Sequence, residues 1–467
     1  MSTSASHAIP TDGKYRTAPV LSTEMPKGIP YIIGNEAAER FSYYGMTGIL
    51  FAFLTEYLRN SSGSKTPLDP NVANQWVHYF IMAVYAFPLL GAVLSDWLFG
   101  KYRMIISVSL LYCLGHGLLA AMDYPAVTHI EPKIVLAMGL GLIALGSGGI
   151  KPCVSAHVGD QFGAQNKHLI PRVFSWFYFS INAGSAVSMF LTPWLLENHG
   201  PGWAFGVPGI FMVLATFIFW LGRFTFAHIP PSGVGFFRET FSVDGIRAIL
   251  NLVPLYLMVL PFFSLFDQQH SSWVEQAKHM NCNFFGYEIL PAQIQAVNPV
   301  LILLFIPTFA YLLYPLAARF FEVTPLRKVG VGLLLGTLAF VVVALAQERI
   351  DHGETPHFSW QILAYLIMTA AEVLVSITVL EFSYTQAPRK MKSFVMGVFL
   401  FISMALGNLF TARVNEHISV RKAAGSAVLQ GANYFWFFTA VIAITTALFI
   451  VWSQFYRGRT YIQGEQD

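Results

Sequence analysis

The stretch N-E-A-A-E-R-F-S-Y-Y-G, from Asn35 to Gly45, sets three charged residues inside an apolar segment. Glu36, Glu39 and Arg40 stand at positions i, i+3 and i+4, so a helix would carry all three on one face. A charge at the centre of a bilayer costs roughly 2.5 to 3.5 kcal/mol on insertion scales, so this face must turn to partners or to water. The stretch therefore predicts a membrane-spanning helix whose polar face lines a path for an ion or a solute.

The same three charges could instead mark the membrane interface, where long side chains reach the headgroups at little cost. The flanking residues favour the interior position, because Tyr31-Ile32-Ile33 precede the cluster and residues 41–54 follow it without a further charge. We therefore expect the cluster to lie about a third of the way along its span.

Composition predicts an all-α polytopic membrane protein. Of the 467 residues, 55% are hydrophobic and 11% are charged, against about 25% charged in soluble proteins. A net charge of +3 is too small to indicate a nucleic-acid partner. The three cysteines show neither a disulfide framework nor metal-ligand spacing, so no metal or other cofactor is expected. The sequence also lacks the H-E-x-x-H, G-x-S-x-G and C-x-x-C motifs, which argues against an enzyme.

Twelve apolar stretches are long enough to cross a bilayer as helices. They cover residues 30–58, 74–98, 102–122, 134–158, 170–194, 203–226, 246–272, 295–320, 327–347, 358–384, 392–414 and 430–456. A connector at 227–245, with Pro230-Pro231, divides them into two sets of six, which is the plan of a major-facilitator fold. The predicted organisation is an amino-terminal tail (1–29), a six-helix bundle (30–226), a linker (227–245), a second six-helix bundle (246–456) and a carboxyl-terminal tail (457–467).

The distribution of lysine and arginine predicts that both termini are cytoplasmic. Of the 28 such residues, Arg40 and Lys151 lie within spans. With the amino terminus inside, 18 of the remaining 26 fall on the cytoplasmic side and 8 on the other. This bias follows the positive-inside rule, and it predicts a multi-pass protein of the inner, or plasma, membrane. No apolar signal-peptide core precedes the first span, so we expect no cleaved signal.

The loop after the second span reads G-A-V-L-S-D-W-L-F-G-K-Y-R, from Gly91 to Arg103. It resembles the loop signature of major-facilitator proteins at this junction, although the spacing departs by a residue. Gly91 and Gly100 would permit a tight turn and close helix approach, and Asp96 would pair with Arg103 or cap a helix. An ordinary charged turn remains the alternative.

Further charges lie within spans four and ten. Lys151 follows a run of small residues and needs an anionic partner, for which Glu36 or Glu39 is the nearest in kind. Glu381 ends the tenth span, and Glu372 lies nine residues before it. Nine residues make two and a half helical turns, so the two carboxylates face different directions and one of them is expected to be structural.

Five colinear motifs together resemble the proton-dependent oligopeptide transporter (POT) family of the major facilitator superfamily. They are N-E-x-x-E-R-F-S-Y-Y-G-M in span one, G-G-I-K-P-C-V-S-A-H-V-G-D-Q-F (Gly148 to Phe162), F-Y-F-S-I-N-A-G-S (Phe177 to Ser185), L-F-D-Q-Q (Leu265 to Gln269) and L-E-F-S-Y-T-Q-A-P (Leu380 to Pro388). The resemblance covers nearly the whole chain. The chain resembles a bacterial-type member of the family. Several of its segments, notably the one that contains His78, are closer to the animal peptide transporters.

The resemblance implies a proton-coupled symporter that imports di- and tripeptides by alternating access, with the proton as the coupling ion and the lipid bilayer as its surroundings. Glu36, Glu39, Arg40 and Lys151 would form a network that exchanges protons and holds the peptide carboxylate. Glu381 would take part in proton coupling and bind the peptide amino group. Asn182 and Asn298 would assist it. The expected pocket walls are Tyr43, Tyr44, Tyr85, Phe262, Phe263, Trp273 and Trp436.

Two positions depart from the pattern of many members of the family. Thr47 stands where an arginine often follows the Tyr-Tyr-Gly motif, so Arg40 and Lys151 would carry more of the carboxylate contact. Span seven shows Asp267-Gln268-Gln269, and we expect Asp267 to be the carboxylate of the extracellular gate.

His78 is a candidate for proton coupling, because an imidazole titrates near neutral pH. A lone histidine in an apolar helix is more often a packing residue, and only the resemblance favours the coupling role. Alternatives to peptide symport are a proton-coupled carrier of another small anionic or zwitterionic metabolite, such as nitrate, and a receptor built on a transporter scaffold.

Overall fold

The computed structural model describes residues 11–12, 14–124, 130–231, 233, 242–386, 392–426 and 428–456. The predicted carboxyl-terminal tail lies outside this part of the chain, as do residues 1–10 and 13 of the amino-terminal tail and residues 232 and 234–241 of the linker. Twelve long helices are present in it. They are α1 (Ile29–Ala52, continued by a wider π-turn at Phe53–Tyr57), α2 (Pro70–Phe99), α3 (Lys101–Ala121), α4 (Pro132–Gly159), α5 (Lys167–His199), α6 (Pro201–Phe224), α7 (Gly245–His270), α8 (Pro291–Ala317), α9 (Pro325–Asp351), α10 (Ser359–Ser383), α11 (Phe394–Ala423) and α12 (Ala432–Phe455).

The twelve helices confirm the predicted all-α fold. Eleven of them, α2 to α12, are long and apolar enough to cross a membrane. The exception is α1, which carries Glu36, Glu39 and Arg40 within its length. Minor elements are two hairpins, β1 (Thr11–Asp12) with β2 (Tyr15–Arg16) and β3 (Asn283–Phe284) with β4 (Tyr287–Glu288), and a short helix, Ser272–Ala277, after α7.

Each half of the chain has its own large hydrophobic core, and a small third cluster lies between α8 and α10, which agrees with a division into six and six helices. One core is built from side chains of α1 to α6, with Val274 and Ala292 added from the segments that flank the α7–α8 connection. The other is built from α7 to α12 and contains the fully buried Trp273, Tyr256 and Tyr365. Each bundle therefore buries its own apolar surface, and the surface between the bundles is left for polar side chains.

Small residues hold α4 against its neighbours in the first bundle. A Cβ added at Gly91 of α2 would lie 2.5 Å from the backbone oxygen of Gly148 in α4. A Cβ at Gly146 would lie 2.7 Å from the Cβ of Tyr112 in α3. Such backbone approach is the usual role of small residues in membrane helices. It fixes α4, and with it Lys151, beside α2.

The turn between α2 and α3 is formed by glycine, as the motif predicts, but its ion pair differs from the expected one. Gly100 adopts a positive φ of 72°, which a residue with a side chain seldom tolerates. The sequence predicts that Asp96 pairs with Arg103 or caps a helix end, and no ion pair between Asp96 and Arg103 is present among the described residues. The ion pair of this turn in the described structure instead joins Lys101 Nζ to Asp160 Oδ2 over 2.7 Å, so the turn is tied to the end of α4.

Ion pairs join the two bundles at one end of the molecule, which we call the loop-1 face because it contains the loop between α1 and α2. Lys278 Nζ, after α7, lies 2.6 Å from Glu56 Oε1 and 2.8 Å from Thr55 Oγ1. Lys422 Nζ, in α11, lies 2.6 Å from Asp69 Oδ2, before α2. In the part of the chain that the structure describes, these are the ion pairs that cross between bundles. The bundles are thus tied together at the loop-1 face.

Candidate functional site

A cavity of about 250 Å³ lies between the two bundles. Its lining combines aromatic, amide and charged side chains from both halves of the chain. Those from the first bundle include Arg40, Tyr44, Tyr85, Lys151 and Asn182, and those from the second include Phe263, His270, Gln295, Asn298 and Glu372. Seven of the residues that the sequence marked as candidates therefore line one cavity, namely Arg40, Tyr44, Tyr85, Lys151, Asn182, Phe263 and Asn298.

The charged cluster of α1 forms a compact network at this cavity. Arg40 Nε lies 2.9 Å from Glu36 Oε1 and 2.6 Å from Glu39 Oε2, and both carboxylates are buried. Neither oxygen of Glu39 has a hydrogen bond within the described residues, although the guanidinium is close. A buried carboxylate without hydrogen bonds is costly to keep charged, so this network is a place where a proton can be held.

Lys151 enters the cavity between two aromatic rings. Its Nζ lies 4.4 Å from the ring centroid of Tyr43 and 4.3 Å from that of Tyr85, within the range of cation–π interactions. The expectation that Glu36 or Glu39 pairs with Lys151 is corrected, because both glutamates contact Arg40 instead. The ammonium group therefore faces the cavity without a carboxylate within 4 Å among the described residues, and an anionic ligand could approach it.

The opposite wall carries a carboxylate, and it is Glu372 of α10. Its Oε2 accepts a hydrogen bond of 2.8 Å from Nδ2 of Asn298 in α8, whose amide also donates to Thr369 Oγ1 over 3.1 Å. Asn298 lines the cavity, as predicted. This wall therefore presents an anionic group held in place by an amide.

The expectation that Glu381 faces the cavity is wrong. Glu381 is exposed and does not line the cavity, whereas Glu372 does. The physical reason is helical periodicity, since nine residues rotate a side chain through two and a half turns. The sequence correctly predicted that the two carboxylates face different directions, but it chose the wrong one for the site.

Three aromatic residues expected in the pocket walls lie elsewhere. Trp436 of α12 donates from Nε1 to Glu348 Oε1 of α9 over 2.8 Å, outside the cavity lining. Phe262 and Trp273 are buried in the core of the second bundle and are also outside the lining. Phe263, by contrast, lines the cavity. An aromatic residue in a span is thus a poor indicator of a pocket by itself, because most of them pack within a bundle.

Other predicted residues lie beside the cavity in supporting positions. Asn182 lines it and donates to the carbonyl of Tyr178 over 3.0 Å. Tyr43 packs edge-on against Tyr44 at 5.1 Å between ring centroids. Thr47 is buried, and its hydroxyl donates to the carbonyl of Tyr43 over 2.8 Å. Thr47 therefore forms a hydrogen bond with the backbone of its own helix and adds no cation to the site.

His78 belongs to a buried polar chain that crosses between the bundles. Asn408 of α11 donates from Nδ2 to Asp267 Oδ2 over 2.6 Å, so its Oδ1 is the acceptor for His78 Nδ1 at 2.7 Å. The other ring nitrogen of His78 then accepts from Ser271 Oγ at 3.0 Å. Both ring nitrogens of His78 therefore have hydrogen-bond partners, and the amide of Asn408 connects His78 to Asp267. The chain of hydrogen bonds joins His78 of the first bundle to Asp267 of the second.

Sequence reasoning missed Asn408, Gln295 and His270. Asn408 and Gln295 are amides in or beside apolar spans, and a buried amide needs partners, which was a usable signal. His270 directly follows the L-F-D-Q-Q motif but is not part of it, so the resemblance did not point to this residue.

The arrangement suits a small ligand that carries both charges. Arg40 and Lys151 place cationic groups on the first bundle, and Glu372 places a carboxylate on the second. A molecule with a carboxylate at one end and an ammonium at the other could bridge the two walls with charge-assisted hydrogen bonds. Because the walls belong to different bundles, such a ligand would bind best when the bundles are close together.

Comparison with known families and proteins agrees with this geometry. The family described as "POT family" matches residues 102–243 and 234–436. "Peptide transporter family 1" of Drosophila melanogaster is 38% identical over 375 residues, which make up 71% of this chain and 49% of that protein. "Solute carrier family 15 member 2" of Homo sapiens is 33% identical over 412 residues, 79% of this chain and 55% of that protein. The chain thus spans about half the length of the curated relatives it matches.

Solved structures extend the match to the fold. An auto-inhibited POT family peptide transporter superposes with a TM-score of 0.82 at 34% identity, covering 94% of this chain and 99% of that one. The POT family transporter PepTSo superposes with a TM-score of 0.82 at 35% identity, covering 93% and 99%. The two curated relatives above are animal proteins, so they give no support to the expectation of a bacterial-type member.

Proposed function

The chain belongs to the POT family and is a multi-pass membrane protein, and from that premise we propose that it imports di- and tripeptides together with protons by alternating access. The observation that carries this proposal is the cavity with opposite charges on its two walls. Every unmodified peptide has an ammonium group and a carboxylate, whatever its side chains. Arg40 and Lys151 hold the carboxylate, and Glu372 holds the amino group.

The proton binds within the network of α1 and in the polar chain between the bundles. Glu39 is fully buried and its oxygens lack hydrogen bonds in the described structure, so it is the preferred site, with Glu36 beside it. His78 and Asp267 form a second site, in which protonation changes the hydrogen bonds that join the bundles. No cofactor takes part, and the proton is the coupling ion.

The bundles move relative to each other around this cavity. The protein lies in the plasma membrane with both termini in the cytoplasm, as the positive-inside bias favours, so the loop-1 face is extracellular. The ion pairs Lys278–Glu56 and Lys422–Asp69 support a state that is closed to the outside. Asp267 acts as a gate carboxylate through Asn408. Opening to the outside requires these contacts to break.

The alternatives within transport are separated by the charge of the ligand. A carrier of a simple anion such as nitrate would use Arg40 and Lys151 but would leave the carboxylate of Glu372 without a cationic partner, which is unfavourable once the ligand shields it from water. A receptor would bind peptide without exchanging it across the membrane, and counterflow in proteoliposomes tells it from a carrier.

We expect that blocking either end of a dipeptide weakens its competition for the site. Alanyl-alanine is compared with its N-acetyl and C-amide forms as inhibitors of labelled alanyl-alanine uptake in proteoliposomes. Loss of one buried ion pair costs roughly 2 to 5 kcal/mol. The concentration of each modified peptide that gives half-maximal inhibition should therefore be at least about thirtyfold higher. Equal competition by all three peptides would contradict the assignment of the two poles.

A further inference from the structure

His270 stands in the wall of the cavity, and its two ring nitrogens have different surroundings. Its Nδ1 lies 2.7 Å from Gln295 Oε1. The amide nitrogen of Gln295 donates to the carbonyls of Gly48 and Ala292 over 3.0 and 3.1 Å, so Oε1 must be the accepting side. Nδ1 of His270 therefore carries the hydrogen. In the neutral imidazole, Nε2 is then an acceptor.

The residue before His270, Gln269, also contributes a polar group to the cavity wall. Within the part of the chain that the structure describes, no residue is hydrogen-bonded to His270 Nε2, and the side chain lines the cavity. Gln269 lines it too, is only 3% exposed, and its amide Nε2 has no hydrogen-bond partner among the described residues. Leaving a buried polar group such as the Gln269 amide unpaired costs about 1 to 3 kcal/mol, so this amide is expected to meet a ligand.

This acceptor and donor lie on the same wall as the carboxylate of Glu372. Asn298 binds Glu372, and Gln295, three residues earlier in the chain and hydrogen-bonded to His270, also lines the cavity. These five side chains therefore line one wall of the cavity. If the amino group of a peptide binds Glu372, the side chain of its first residue branches from the adjacent carbon and can reach along this wall to His270.

We propose that His270 and Gln269 form a polar subsite that selects peptides whose first residue carries a hydroxyl or carboxamide side chain. Such a group donates a hydrogen bond to His270 Nε2 and accepts one from Gln269 Nε2. This inference rests on the proposed function, because it takes the orientation of the peptide from Glu372. It makes His270 a residue that determines specificity within peptide transport.

The test compares threonyl-alanine with valyl-alanine, which have nearly the same shape and differ by a hydroxyl in place of a methyl group. Uptake kcat/KM is measured for both in proteoliposomes containing the full chain. One hydrogen bond of this kind should favour threonyl-alanine by about threefold to tenfold in the parent. His270→Phe and His270→Leu should both lose this preference. The control Met404→Leu, another cavity-lining position without a polar group, should keep it.

The position of the side chain is tested with the reversed peptides. Alanyl-threonine and alanyl-valine should differ little in the parent, because the second side chain points away from His270. The proposal is overturned if the parent does not prefer threonyl-alanine, if both His270 variants keep the parental ratio, or if the preference appears only at the second residue. The parent's failure to take up alanyl-alanine at all would contradict the proposed function itself, which separates the two failures.

Discussion

Replacement of Glu372 by glutamine is expected to reduce uptake of alanyl-alanine by at least about thirtyfold in kcat/KM. The reason is that this half-buried carboxylate is the anionic pole of the cavity and becomes enclosed when a peptide binds. Removal of one partner of an enclosed charge pair costs roughly 2 to 5 kcal/mol. Glutamine keeps the size of the side chain and its ability to meet Asn298, so the loss should reflect charge and not packing. Initial rates of labelled peptide uptake in proteoliposomes give the measurement.

Glu381→Gln is the matched control for this prediction. The same chemical change is made on the same helix, but at an exposed carboxylate outside the cavity lining. We expect uptake within about twofold of the parent, because surface positions away from special contacts change little on substitution. N-acetylated peptide should compete poorly in this variant, as in the parent, whereas in Glu372→Gln it should compete nearly as well as the free peptide. The reverse result would restore Glu381 to the site.

The second large effect concerns Glu39. We expect Glu39→Gln to lose proton-driven accumulation of peptide while keeping part of its counterflow exchange. A membrane potential supplies about 2.3 kcal/mol per elementary charge per 100 mV, and a variant that cannot bind the coupling proton cannot use it. The cavity walls made by Lys151 and Glu372 remain in place, so exchange of labelled for unlabelled peptide needs no net proton movement.

Both assays are run on one preparation of Glu39→Gln proteoliposomes. Glu197→Gln serves as a control, since Glu197 is an exposed carboxylate of α5 near Tyr57 and should leave both assays unchanged. Full accumulation in Glu39→Gln would remove this residue from the coupling path and leave Glu36 and His78 as the candidates. Loss of both assays together would indicate that Glu39 holds the network of α1 together and does not act in coupling.

The helices and their grouping could be predicted from the sequence because a bilayer imposes simple rules. About twenty apolar residues make one span, and the connector after α6 separates two sets. The charges of α1 were located for the same reason, since three charges within a span must face something polar. Lys151 followed from that rule as well, and the structure places it in the cavity.

The choice between Glu372 and Glu381 could have been made by the same physical rule. Glu372 stands among apolar residues in T-A-A-E-V-L-V, whereas Glu381 is followed by the polar run F-S-Y-T-Q. A charge deep within an apolar stretch is the more costly one, and so the one that most needs a functional partner. The assignment to Glu381 followed instead from its place in the L-E-F-S-Y-T-Q-A-P motif.

The partners of His78 and Lys278 could not be predicted, because they depend on contacts between bundles that are distant in sequence. Asn408 lies 330 residues after His78, and Lys278 lies more than 200 residues after Glu56. Periodicity places a side chain on a face of its helix but does not say which helix it meets. Similarly, sequence alone could not tell Phe263, which lines the cavity, from its neighbour Phe262, which packs in the core.

The central claim is that one protein couples peptide entry to proton entry, and it is tested most directly by recording both in the same vesicles. Purified protein is reconstituted with a pH-sensitive dye inside, an acidic exterior is imposed, and labelled alanyl-alanine is added. We predict that peptide accumulates above its external concentration, that internal pH falls faster when peptide is present, and that a protonophore abolishes the accumulation. Equilibration of peptide without accumulation, or a proton flux that is the same with and without peptide, would contradict the account.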